Sequence, residues 1–307
     1  MKLACYLEDE KPRLGVYTED GIIAVTGALA DTYPSIRAVI EKNGFADIAD
    51  WAEGRDVDIG LEDAHYLPPL HDAEKVICVG VNYPKRHPVH GDMPPPENIS
   101  LFNKWEGALV GHLQPLILPP GEAAQTFDYE GELVLVIGRE CRAVAKEDAF
   151  DVIAGYTIMD DGSVRGWQKH SVPAGKNFTG SGASGPCFVT ADEIDDPFKI
   201  RLSTRLNGEE VQSATPDDMI FDIPTIINYV STIVHLKPGD IIATGSPSGS
   251  GGSRQPQRFL VPGDELEIEW SGIGCLKNKV CRMIGSLLSD VQERVLYTNA
   301  KRVFDLE

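Results

Sequence analysis

Residues 128–138, DYEGELVLVIG, carry two acids, Glu130 and Glu132, straight into an unbroken apolar run from Leu133 to Ile137. A short β-branched and apolar run closed by glycine reads as a buried strand. Side chains two apart on a strand point to the same face, so the two carboxylates can share one ion. A short helix is predicted over KEDAFDVI (146–153), and AGYTIMDD (154–161) then returns as a second strand that brings Asp161 to the same sheet. Three oxygen donors from neighbouring strands suit Mg²⁺, Mn²⁺ or Ca²⁺, whereas zinc favours His and Cys. The competing reading is a set of solvated acids on an open strand face, which is how Glu265, Glu267 and Glu269 in DELEIEW (264–270) are taken. Context separates the cases. Glu130 and Glu132 enter an apolar run and Asp161 is followed by Arg165 and Gln168, so the acids approach a buried region where uncompensated charge is costly.

Outward from this stretch, KVICVGVNY (75–83) reads as another buried strand, followed by the proline-rich loop PKRHPVHGDMPPPENIS (84–100). Loops of that length in a compact domain are commonly functional lids. Upstream, residues 2–25 alternate apolar and polar with a hairpin signal at Glu19-Asp20-Gly21, and residues 35–54 have the spacing of two short helices interrupted at Asn43-Gly44. The pattern breaks at Leu67-Pro68-Pro69-Leu70, which divides a small N-terminal α+β domain (1–70) from a larger domain (71–307). Downstream come the strand CFVT (187–190), a hairpin at Asn207-Gly208, a helix over 223–236, and the strands DIIATG (240–245) and DELEIEW, each after a Pro-Gly turn. The fold class read from this order is α+β and β-dominated.

The chain has 307 residues with 42% hydrophobic and 24% charged content, enough for one substantial core and a small appendage. A net charge of -19 opposes nucleic-acid binding, which depends on basic residues neutralising phosphates. It also repels small anions at long range, so an anion site here must be locally basic or use a bound cation. Six scattered cysteines without a CxxC pair read as reduced thiols. MKLACYLEDEKPR becomes charged before a signal-peptide apolar region forms, and no run of about 18 apolar residues occurs, so no membrane partner and a cytoplasmic location are expected.

The combination of motifs resembles the fumarylacetoacetate hydrolase superfamily. Asp128-Tyr129-Glu130-Gly131-Glu132 is followed by Leu133–Gly138, by Ala154-Gly155-Tyr156-Thr157 leading to Asp161-Gly162-Ser163-Val164-Arg165, and by Gln168. Gly175-Lys176-Asn177-Phe178, Gly185-Pro186, Asn207-Gly208, Pro238-Gly239-Asp240 and Thr244-Gly245-Ser246-Pro247-Ser248-Gly249 then appear in family order. The resemblance implies rolled mixed β-sheets, a homodimer, and one divalent cation, Mg²⁺ or Mn²⁺, on Glu130, Glu132 and Asp161. It implies that Tyr83, Arg165, Gln168, Lys176, Thr244 and Gly245 serve a pocket for an oxo acid. Relatives place a catalytic His three residues beyond the Tyr of the Asn-Tyr pair, with a Glu shortly after it; here Arg86 stands at that position and His87 follows.

The expected chemistry is hydrolysis of a carbon-carbon bond in an acylpyruvate or 2,4-diketo acid through a metal-stabilised enolate. His87 is assigned as the base that activates water, with His90 second, and the competing reading of each is a solvated loop residue. Lys176 and Arg165 bind the substrate carboxylate or the developing oxyanion, or else balance the three acids in a structural ion network. Gln168 is the weaker substrate contact, because such residues usually bond backbone. GSPSGSGGS (245–253) has the composition of a phosphate cradle but lacks the Lys-Ser/Thr of a P-loop, so it is read as a tight turn beside ligand. Two alternatives keep the same site: a decarboxylase, isomerase or tautomerase of a 2-oxo acid, and a noncatalytic metal-dependent oxo-acid binder.

Overall fold

The computed structural model describes residues 1–84, 89–91 and 94–282. The chain opens with strands β1 (Lys2–Glu8), β2 (Lys11–Tyr17) and β3 (Ile22–Ala24), then helices α1 (Gly27–Thr32), α2 (Ile36–Glu41) and α3 (Phe45–Ala52). Short strands follow: β4 (His65–Tyr66), β5 (Val76–Val79), β6 (Leu101–Asn103), β7 (Leu109–Val110), β8 (Leu116–Ile117) and β9 (Phe127–Asp128). The central part holds β10 (Gly131–Ile137), β11 (Ile153–Asp160), β12 (Ser163–Val164), α4 (Arg165–Gln168), α5 (Val172–Lys176) and β13 (Gly182–Thr190). Last come β14 (Leu202–Leu206), β15 (Glu209–Ala214), α6 (Ile223–Ile233), β16 (Ile241–Ala243), β17 (Glu265–Trp270) and β18 (Gly274–Cys281).

Eleven strands form one mixed sheet in the order β3-β2-β1-β13-β11-β10-β16-β5-β6, with β4 on β1 and β7 on β13. Five more form a second sheet, β15-β14-β17-β18-β8, and β9 pairs with β12. The unbroken apolar run of β10 has a direct cause: both its faces are covered. Leu133, Leu135 and Ile137 pack with Leu202, Ile268 and Trp270 of the second sheet, while Val134 and Val136 pack with Leu3, Ile36 and Ile48 from the N-terminal segment. A strand buried on two sides carries no polar alternation. The β-dominated α+β fold read from the sequence is therefore the fold observed, with two sheets packed around a common apolar layer.

Local details differ where turn chemistry decides. The N-terminal alternation contains a second turn at Asp9 and Glu10, both with positive φ (49° and 61°), so residues 2–24 make three strands rather than one hairpin. KEDAFDV (146–152) closes into a 3₁₀ helix. Strand β10 starts at Gly131, which leaves Glu130 in the bend between β9 and β10. The segment 1–70 joins the rest of the chain through the sheet itself, because β1 pairs antiparallel with β13.

His112, 6% exposed, fastens the segment after β7 to β18. Its Nδ1 accepts from Lys277 N at 3.0 Å and its ring stands edge-on to Tyr66 at 4.9 Å. Burial, aided by the Lys277 charge, holds its imidazole down to about 4. A base whose folded value lies below its unfolded value stabilises the fold above the unfolded value, and that contribution disappears as pH falls through the folded one. The Tm should accordingly decline between pH 6.5 and 4, by the equivalent of roughly 3 kcal/mol from this group. In His112→Asn the decline between pH 6.5 and 5 should flatten in calorimetry, and an unchanged slope would assign the acid sensitivity to other groups.

Candidate active site

The register of β10 on β11 sets Gly131 opposite Asp160 and Glu132 opposite Met159. The bend residue Glu130 donates its N–H to Asp160 Oδ1 at 2.9 Å, and Asp161 N donates to the Glu130 carbonyl at 2.9 Å. These bonds draw Glu130, Glu132 and Asp161 together, with one carboxylate oxygen of each lying within 4.8 Å of the others. Gly162 permits the approach from the next strand, since a Cβ there would sit 1.7 Å from the Ser181 carbonyl oxygen.

Among the described residues, three buried cations surround the acids. Lys176, at the end of α5, bonds Glu130 Oε2 and reaches Asp161 Oδ2 at 2.5 Å. Arg165, at the start of α4, places Nη1 2.9 Å from Glu130 Oε1 and Nε 2.7 Å from Asp128 Oδ2, and also donates to Gln168 Oε1 at 3.3 Å. Lys104 lies 2.7 Å from Asp161 Oδ1, an ion pair without hydrogen-bond alignment, and spends its protons on the carbonyls of Gly162 (3.1 Å) and Lys176 (2.5 Å). Neither Lys104 nor Asp128 was expected to belong to the site's charge network. Lys104 sits 72 residues from Lys176, one position past β6, and only the packing of β6 against α5 reveals the contact.

The electrostatics follow from this arrangement. Burial alone would raise the Glu130 carboxyl, but the Arg165 and Lys176 charges outweigh it and bring it down to about 2. Glu132 goes the opposite way: burial and the neighbouring Asp161 and Glu130 carboxylates push it well above the usual range, against only Lys176 and a hydrogen bond from Gly245 N at 2.9 Å. Burial lifts Asp160 to about 8, so it is protonated at neutral pH. Among the described residues, the four acids Asp128, Glu130, Glu132 and Asp161 thus face three cations, Lys104, Arg165 and Lys176, and Glu132 is the acid left without an ion-pair partner, which is why burial drives it toward its protonated form. An all-oxygen donor set with an excess of negative charge fits a hard divalent cation, Mg²⁺ or Mn²⁺ in type.

These groups line a cavity of about 320 Å³. Glu130, Glu132, Asp161, Arg165, Gln168 and Lys176 form its polar floor, and Tyr83 and His90 lie along the loop side. Apolar side chains of Val79, Val81, Phe102, Val172 and Pro247 also line it, with the Lys176 ammonium 5.2 Å from the centre of the Phe102 ring. The Tyr83 hydroxyl and Arg165 Nη2 are buried with no hydrogen-bond partner among the described residues. His87 lies outside the described residues. Two other expected pocket residues stand behind the cavity: Thr244 Oγ1 donates to the Leu133 carbonyl at 3.0 Å, and Gly245, with φ 98°, offers its N–H to Glu132. Ser246, Pro247 and Ser248 are the loop residues that reach the cavity.

Residues 75–281 match the family described as fumarylacetoacetate (FAA) hydrolase C-terminal, a span that contains every cavity residue named above. The chain belongs to the fumarylacetoacetate hydrolase family. An oxaloacetate tautomerase of Bos taurus, named FAHD2A, mitochondrial, is 38% identical over 219 residues, 70% of this chain and 69% of that protein. Among solved structures, maleylpyruvate hydrolase from Sphingobium sp. SYK-6 in complex with manganese(II) ion and pyruvate is 30% identical with a TM-score of 0.76, covering 92% of this chain and 99% of that one. A probable 2-hydroxyhepta-2,4-diene-1,7-dioate isomerase from Mycobacterium abscessus is 26% identical with a TM-score of 0.74, covering 92% and 100%. The fumarylacetoacetate hydrolase family thus includes hydrolases, isomerases and tautomerases, and in this member Glu130, Glu132 and Asp161 form a group whose carboxylates could hold a divalent ion.

A ligand that binds only the folded state raises stability by about 2.7 kcal/mol at a hundredfold excess over its Kd. Mn²⁺ or Mg²⁺ should therefore raise the Tm of the purified protein. Glu132→Ala should stay folded and lose that shift, and retention of the full Mn²⁺ shift in the variant would put the ion elsewhere.

Proposed function

We propose that this protein catalyses keto-enol tautomerisation of a 2-oxo acid. One observation carries the choice among the family's activities. The acids lining the cavity, among the described residues, are Glu130, Glu132 and Asp161, and all belong to the cation cluster. Water-driven cleavage calls for a further carboxylate to orient the histidine that activates water, whereas enolisation asks only for a proton acceptor near C3 and charge stabilisation at the 2-oxo oxygen.

The residues present suit the second task. Arg165 is fixed through Nε and Nη1, which leaves Nη2 to meet the substrate carboxylate. The Lys176 ammonium, held above its ordinary range by Asp161 and Glu130, is a permanent cation for the charge that develops when C3 loses its proton. The divalent cation, when bound, supplies a Lewis acid at the same oxygen. His90, exposed along the loop side of the cavity, is an imidazole suited to exchange the C3 proton. Tyr83 brings a buried hydroxyl to the same space. The apolar wall keeps water from competing for these groups. The likeness to the oxaloacetate tautomerase of Bos taurus supports this reading.

The second reading, hydrolysis of an acylpyruvate or 2,4-diketo acid, is favoured by the likeness to maleylpyruvate hydrolase across 92% of the chain. We propose also that the chain works as a homodimer in the cytoplasm, and light scattering at the monomer mass would count against the assembly.

Products distinguish the two readings. With Mn²⁺ present, enol-oxaloacetate absorbance should decay faster than the uncatalysed rate without pyruvate appearing, and Lys176→Met should lower kcat about 10²-fold. Stoichiometric cleavage of acylpyruvates with no effect on enol-oxaloacetate would overturn the tautomerase reading in favour of the hydrolase.

A further inference from the structure

The glycine-rich stretch 245–253 has the composition of an anion cradle, and the anion it holds is one of the protein's own side chains. The Asp128 carboxylate is fully buried and accepts four hydrogen bonds. Tyr129 N (2.9 Å) and Gly251 N (2.6 Å) donate to Oδ1, while Gly252 N (2.9 Å) and Arg165 Nε (2.7 Å) donate to Oδ2. Gly251 has to be glycine for this contact, because a Cβ there would lie 2.0 Å from the Arg258 carbonyl oxygen and 2.8 Å from Asp128 Oδ1. The other half of the stretch, Ser246 to Ser248, forms cavity wall. Asp128 thereby ties that wall to the guanidinium whose Nη1 rests on Glu130 and whose Nη2 has no partner among the described residues.

We infer that Asp128 is a positioning residue for substrate binding, which acts through Arg165: it fixes the guanidinium so that Nη2 is presented to the substrate carboxylate. Asp128 is not itself among the cavity-lining groups. Its negative charge and two-sided acceptor geometry are both required. An asparagine would set its NH₂ against two donors whichever way it turned, either Tyr129 N and Gly251 N or Gly252 N and Arg165 Nε. In the second orientation the guanidinium loses its second anchor outright, and in either it loses the ionic partner, so it is freer to swing about the Glu130 contact.

The inference rests on the cavity being a 2-oxo acid site, so the probe is oxalate, a planar two-carboxylate stand-in for such an acid, titrated calorimetrically at saturating Mn²⁺. Asp128→Asn should weaken oxalate by about 10- to 100-fold, the range seen when an outer-shell partner is lost, with the Mn²⁺ Kd within about threefold of wild type. Arg165→Met should show a comparable oxalate loss, and the double variant should bind oxalate no worse than Arg165→Met alone, because the two residues act in series. Wild-type oxalate affinity in Asp128→Asn, additive losses in the double variant, or Mn²⁺ affinity falling in step with oxalate would each overturn the inference. Should Asp128→Asn not fold, Gly251→Ala keeps every charge and must give the same split. A wild-type protein that binds oxalate but converts no 2-oxo acid refutes the functional reading while leaving this test standing, and one that binds no oxalate refutes both.

Discussion

Ionised side chains buried between packed β-sheets are the constraint to which the rest of this structure answers. Taking a carboxylate or ammonium out of water costs several kcal/mol per ion even after relaxation, and only close pairing with full hydrogen bonding offsets that cost. Asp128, Glu130, Glu132 and Asp161 are all largely withdrawn from solvent, and Lys104, Arg165 and Lys176 are the cations set against them. Well-packed apolar residues of similar volume would serve stability as well or better. A cluster of this composition therefore makes sense as chemistry, and Glu132, the acid with no ion-pair partner among the described residues, is the place where a further positive charge would displace a proton.

The scaffold imposes the cluster through backbone as much as through side chains. Gly131 sits where a Cβ would meet Thr204 Oγ1 at 2.5 Å, so the second sheet can close over the start of β10 beside Glu132. The Asn82 amide bonds the carbonyls of Thr244 and Phe221, which fastens the end of the β16 segment near the Gly245 N–H that Glu132 accepts. Asp160, held neutral by burial, takes the Glu130 N–H and shapes the bend that turns Glu130 inward. Each ligand in the triad is thus restrained by at least one contact outside the triad, which is what a preorganised ion site requires.

Much of this was legible in the sequence because it depended on short-range periodicity. The apolar run behind Glu130 and Glu132 and the return of the chain toward Asp161 were readable since strand geometry is local, but Glu130 and Asp161 lie just outside β10 and β11 and are brought together by the bonds between Glu130, Asp160 and Asp161 rather than by strand alternation. So were the Asn207-Gly208 hairpin and the two short helices around Asn43-Gly44, whose turn residues announce themselves. The parts that escaped depend on contacts between distant segments. Lys104 reaches Asp161 from one position past the edge strand β6, Asp128 meets Gly251 and Gly252 across more than 120 residues, and no periodicity encodes either pairing. Thr244 and Gly245 were read as pocket wall from motif position alone. Their hydrogen bonds to Leu133 and Glu132 give them a supporting place behind it. Composition explained the glycine loop only halfway: it marked a cradle without naming what lies in it.

The proposed chemistry turns on one divalent cation held by Glu130, Glu132 and Asp161 at the floor of the cavity. Anomalous diffraction at the manganese edge, on crystals grown with Mn²⁺ and oxalate, tests it most directly. A single strong peak within coordination distance of all three carboxylates is expected, with oxalate bound to the same ion and one end toward Arg165. A map with no peak between those carboxylates, at saturating Mn²⁺, would contradict it.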